Sequence, residues 1–124
     1  MNAQEQAVVI GTDIMQISRM GRALKRRPGL RERLFTPEER RYCETRANAA
    51  QHYAARFAAK EAVAKALGRS LAWREVEILR DSGAPHPILH GRAKAIAAGG
   101  RLQISLSHSG DYAIACALFI SGEA

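Results

Sequence analysis

Long apolar runs, closely spaced cysteines and phosphate-loop glycines are all missing from this 124-residue chain. No stretch approaches the ~20 apolar residues that cross a bilayer, so no membrane span is expected. Met1 to Val9 lacks both a basic start and a long apolar stretch, and export is not expected. The two cysteines, Cys43 and Cys116, stand far apart, and His86 and His90 are flanked by Pro85 and Pro87, which keep that segment extended. A structural zinc site is therefore not expected, and a reducing cytoplasm suits both thiols. Neither G-x-x-x-x-G-K-[ST] nor G-x-G-x-x-G occurs, which removes the common nucleotide loops. A G-x-S-x-G elbow is also lacking, and Ser107-His108-Ser109-Gly110-Asp111 is one turn rather than three separate arms, so a hydrolase triad is excluded.

Acidic residues are too few to balance the basic ones, leaving a formal charge of +7. The excess concentrates between Arg19 and Arg46, and long-range attraction to an acidic macromolecule follows. Aromatic residues make up 6% of the chain and none interrupts the run from Arg19 to Arg33, which argues against bases stacking on rings.

The 47% hydrophobic content suits one folded domain over residues 1–124. Val8 to Met15 reads as a strand, with Asp13 as its oddity. A helix follows from Ser18, its plausible cap, to the break at Pro28-Gly29. Thr36-Pro37-Glu38-Glu39 carries the signature of a capped helix start, running to about Cys43. A long Ala-rich helix spans about Ala50 to Leu67, and Gly68 stops it. Trp73 to Leu79 and Ile88 to His90 make a hairpin across Ser82-Gly83-Ala84-Pro85, and Arg92 to Ala98 is a brief helix. Leu102 to Ser107 and Tyr112 to Phe119 form a second hairpin. The fold class is α+β, a mainly antiparallel sheet packed against one long Ala-rich helix.

The charged half of that helix reads either as an ordinary solvated face or as the place of the chemistry. At about 100° per residue, Ala55, Ala58, Ala59, Ala62, Val63 and Ala66 fill one arc, while Arg56, Lys60, Glu61 and Lys65 fall on the other half. Arg56 and Lys60 are like charges at i, i+4, which costs about 0.2 to 0.5 kcal/mol unless an anion lies between them. Asp13 and Glu61 with cations around them are the residue types that hold a magnesium ion and a substrate phosphate together.

Three blocks, Gly11-Thr12-Asp13-Ile14 with Ile17-Ser18-Arg19, Arg56-Phe57-Ala58-Ala59-Lys60-Glu61-Ala62 with Lys65-Ala66-Leu67-Gly68, and Ile104-Ser105-Leu106-Ser107-His108 with Tyr112-Ala113, closely resemble the holo-[acyl-carrier-protein] synthases, a family of phosphopantetheinyl transferases. The resemblance implies transfer of phosphopantetheine from coenzyme A to a serine of an apo acyl carrier protein, releasing adenosine 3′,5′-bisphosphate. It implies Asp13 and Glu61 as magnesium ligands and Lys65 as the group that stabilises or protonates the leaving phosphate. Arg56, Lys60, Lys65 and His108 would contact coenzyme A phosphates, and Glu61 or a metal-bound water would take the serine proton. Arg19, Arg22 and Arg26 would dock the acidic carrier. A homotrimer with sites between protomers is implied as well. The chain departs from the family pattern at Gln16, at the short loop Gly68 to Trp73, and at Ala84 before Pro85. A rival from another class, a non-catalytic basic module binding nucleic acid or an acidic protein, rests on charge alone. A partner-binding relative without turnover is a third reading.

Overall fold

The computed structural model describes residues 7–122. The readings of Met1 to Val9 and of the domain's outer ends therefore reach partly beyond the described residues. Val8–Gln16 is β1, Ile17–Arg26 α1, Leu30–Leu34 α2, Pro37–Glu44 α3 and Ala49–Leu67 α4. Val76–Leu79 and His86–Leu89 are β2 and β3, Gly91–Ile96 is α5, and Arg101–Ser109 and Tyr112–Ile120 are β4 and β5. β1, β5 and β4 form an antiparallel sheet in that order, while β2 and β3 pair only with each other. The expected α+β class holds, with two sheets rather than one.

Local chemistry explains the elements. Thr36 and Glu39 form the reciprocal capping box the sequence announces, with Pro37 opening α3. Gly68 ends α4 in the left-handed region at φ 71°, a conformation that only glycine adopts without strain. Three expectations need correction. Gln16, not Ser18, holds the cap position of α1, and its side chain makes no capping bond. Trp73–Glu75 is a 3-10 turn instead of the start of a strand. The turn after Pro28-Gly29 winds into α2, a five-residue helix too short for a periodic signal.

Two apolar clusters share α4. One joins Ala58, Ala59, Ala62 and Ala66 to Ala115 and Ala117 of β5; the other gathers Met20, Leu24, Phe35 and Tyr53 under α1 to α3. Small side chains on both surfaces bring helix and sheet close together. Gly11 shows how close: a Cβ there would lie 2.1 Å from the Ala62 carbonyl oxygen. Alanine at position 11 would push β1 off the helix.

Candidate active site

Alternation along β1 turns Gly11, Asp13 and Met15 toward α4. Asp13 thereby meets the last turns of the helix, and Lys65 Nζ lies 3.3 Å from Asp13 Oδ1 while donating to the Thr12 carbonyl oxygen at 2.9 Å. An ammonium has three protons, and only two of these find acceptors among the described residues. The Lys65 side chain is 55% exposed, so the remaining donor faces solvent. Partial burial and then the charge of Asp13 raise the pKa of Glu61 above its ordinary value, against the opposing pull of Lys65. Asp13, Glu61 and Lys65 thus form one electrostatically coupled group where β1 crosses α4.

Arg56 and His108 meet elsewhere. They line a cleft with Tyr42, Gln51, His52 and Arg80 that includes none of Asp13, Glu61 or Lys65. His108 follows Ile104 and Leu106 on the helix-facing side of β4, opposite Ala113. Arg56 is buried, and its Nε and Nη2 have no hydrogen-bond partner. An unpaired buried guanidinium is costly, and an incoming anion would relieve it.

Lys60 joins neither cluster. Its side chain is 0% exposed and donates to Glu39 Oε1 at 2.8 Å, to the Trp73 carbonyl at 2.9 Å and to the Val76 carbonyl. Glu39 in turn accepts from the backbone N–H groups of Thr36 and Ile78, each at 2.9 Å. The expectation that Lys60 contacts coenzyme A phosphates is thus corrected: all three of its donors are used inside the fold. Helical spacing could not reveal this, because the half of α4 opposite the sheet is covered by α3 and β2. The anion beside Lys60 is an internal one, from α3.

Arg19, Arg22 and Arg26 line a groove of about 630 Å³. Sequence reasoning saw the basic run of this surface but missed its apolar floor. Arg27 and Arg33 extend the charged rim, and Met20, Leu34, Phe57 and Trp73 form an apolar floor where the Phe57 and Trp73 rings stack at 4.9 Å. Phe57 and Trp73 lie far apart in the chain, so no local pattern pairs them. The helix bearing the arginines has no acidic residue in its first turn and is capped from a distance. Asp111, in the β4–β5 turn, accepts from the Ser18 N–H at 3.0 Å and from the Ser18 hydroxyl at 2.5 Å, and its carbonyl accepts from the Ile17 N–H. The Ser18 contact also holds the Asp111 carboxyl below its usual range.

Comparisons with known proteins identify the family. A holo-[acyl-carrier-protein] synthase from Moorella thermoacetica is 49% identical over 115 residues, covering 87% of this chain and 90% of that protein. One from Caldanaerobacter subterraneus is 40% identical over 123 residues, covering 94% and 97%. The structure of a Chronobacterium ammoniagenes ACPS–CoA complex superposes with a TM-score of 0.79 at 32% identity, over 91% of this chain and 96% of that one. The family model described as the 4′-phosphopantetheinyl transferase superfamily matches residues 9–117, a span that takes in Asp13, the whole of α4 and His108. With these residues in place on this fold, the chain belongs to that superfamily.

Proposed function

We propose that this chain is a holo-[acyl-carrier-protein] synthase: it transfers phosphopantetheine from coenzyme A to a serine of an apo acyl carrier protein. The observation that carries the reading is the Asp13, Glu61 and Lys65 cluster at the crossing of β1 and α4. The names of the relatives support it. In the reaction the serine oxygen bonds to the phosphorus that bears pantetheine. The bond from that phosphorus to the adenosine 5′-phosphate oxygen breaks, and adenosine 3′,5′-bisphosphate leaves with the bonding pair. Glu61 offers a carboxylate suited to receive the serine proton. Lys65 directs its uncommitted donor toward the departing phosphate. Arg56 and His108 hold the phosphates of coenzyme A.

Asp13 and Glu61 fit a magnesium ion. Both offer hard carboxylate oxygens, and the repulsion from Asp13 that adds to burial in raising the Glu61 pKa is what a shared cation would relieve. Such an ion would neutralise charge on the pyrophosphate oxygens.

A homotrimer with sites between protomers belongs to the same reading. The sheet face turned away from α4 carries Val8, Ile10, Ile14, Tyr112 and Ile114, all exposed, which form an uncovered apolar surface. Phosphate-binding Arg56 and the carboxylate cluster line separate places within one chain, and a neighbouring protomer would bring the two kinds together. Sedimentation should show a trimer in the parent and monomers in Ile10→Glu with Ile114→Glu. A parent that sediments as a monomer would remove the trimer. The free thiols of Cys43 and Cys116 support a cytoplasmic location. None of the described helices is long and apolar enough to cross a membrane.

Intact-mass measurement tests the reaction. An apo carrier protein incubated with coenzyme A, magnesium and this chain should gain one phosphopantetheine. Charge reversal at Arg19, Arg22 or Arg26 should raise KM for the carrier about tenfold while leaving coenzyme A affinity unchanged. Added salt should imitate the reversal in the parent and act weakly on the variants. If the carrier gains no mass and labelled oligonucleotide binds tightly with strong salt dependence, the nucleic-acid reading replaces this one.

A further inference from the structure

Arg56 is 2% exposed, and no carboxylate lies among the residues of its cleft. Something else must hold it. Its Cζ sits 4.1 Å from the centroid of the Tyr42 ring, so the guanidinium is gripped by its face. The same ring takes the Arg46 guanidinium at 3.9 Å and meets the His52 ring edge-on at 5.6 Å. Tyr42 therefore stands between two clefts, one lined by Arg56, His52 and His108, the other by Arg46 and Arg41, with Arg80 lining both.

A carboxylate partner would fix Arg56 through its N–H edge, neutralise its charge and compete with an incoming phosphate. A ring fixes it through the opposite chemistry. The ring meets the guanidinium through a cation–π contact, and the edge bearing Nε and Nη2, though buried, keeps its hydrogen-bonding capacity unspent. Arginines dominate the surroundings of the ring, although Glu38 and Asp81 also line the second cleft. Burial alone would raise the Tyr42 phenol, yet Arg46, Arg56 and Arg80 together pull it below its usual value. His52 is also lowered, first by burial and then by Arg56, Arg46, His108 and Arg80.

We propose that Tyr42 is a positioning residue for donor binding: its ring holds the buried Arg56 by the face so that the free N–H edge meets a phosphate of coenzyme A. This rests on the phosphopantetheinyl transfer reading and adds to it a role for an aromatic ring from α3.

Calorimetric titration of coenzyme A into the parent, Tyr42→Phe, Tyr42→Leu, Arg56→Ala and the Tyr42→Leu/Arg56→Ala double variant tests the inference. Tyr42→Phe keeps the ring and should bind within about twofold of the parent. Tyr42→Leu should weaken coenzyme A about tenfold, as expected for a desolvated cation–π contact, with KM for the carrier unchanged. In the Arg56→Ala background the leucine change should cost nothing further, because the ring acts through Arg56. Tyr42→Met, which fills the space without offering a face, serves the same cycle if the leucine variant does not fold. Losses that add in the double variant would overturn the inference, showing that the ring meets the ligand directly. Parent-like binding by Tyr42→Leu beside a weakened Arg56→Ala would overturn it too, while leaving the transferase reading intact. An Arg56→Ala variant that binds as the parent would remove Arg56 from the phosphate site, and this inference with it. No transfer by the parent at all would instead defeat the underlying reading.

Discussion

Asp13→Ala and Glu61→Ala should each lose turnover by about a hundredfold to a thousandfold, the range seen when one electrostatic contact to a developing charge is removed. Both should remain folded. Asp13 and Glu61 are each partly exposed and lie outside the two apolar clusters, so neither carries the core. Glu61→Gln should be nearly as damaging, since the amide keeps the shape but neither binds a cation well nor accepts a proton. Asp13→Ala should additionally lower the Glu61 pKa, because one of the two causes raising it disappears while Lys65 remains. Activity against magnesium concentration, recorded beside circular dichroism, measures the first effect, and carboxyl NMR titration measures the second. Full activity of either alanine variant at low magnesium would end the assignment of these carboxylates to a metal.

Lys60→Met should cost about 3–5 kcal/mol of stability, since it leaves Glu39 charged, buried and without its cation. In a domain of this size that corresponds to a melting point lower by roughly 10–20 °C. Burial already pulls the Lys60 pKa below its ordinary value and Glu39 opposes that shift, so the ammonium depends on this partner to stay charged. Combining Lys60→Met with Glu39→Gln should recover much of the loss, because no net charge is then stranded in the interior. Coenzyme A affinity of the folded fraction should stay near that of the parent. A Lys60→Met protein that melts like the parent but binds coenzyme A poorly would restore Lys60 to the phosphate site.

Lys60 also marks where reading the chain reaches its limit. Spacing on α4 separates an alanine stripe from a charged half, and Glu61 and Lys65 of that half lie beside Asp13, where β1 crosses the helix and solvent still enters. It misassigns Lys60, whose surroundings come from α3 and from the chain around Trp73 to Val76. Helical periodicity records which residues share a face, not what later segments lay over that face. The capping box at Thr36 and the stop at Gly68 were legible because their signals are local. Tyr42 had no signal of its own, since its partners, Arg46 between the two helices and His52 and Arg56 on α4, reach its ring only when α3 packs against α4.

The strand order has a consequence for the order of assembly. β1 has β5 as its only neighbour in the sheet among the described residues, so the first strand made waits for the last one made. The same holds for α1, whose N-terminal N–H groups are satisfied by Asp111, 93 residues beyond Ser18. Closing so large a loop comes late, because its entropy must be lost before any contact repays it. The arginine-bearing helix therefore gains its cap, and the strand holding Asp13 its sheet partner, only from the segment around β5, so a nascent chain that has not yet extended through β5 presents neither in finished form.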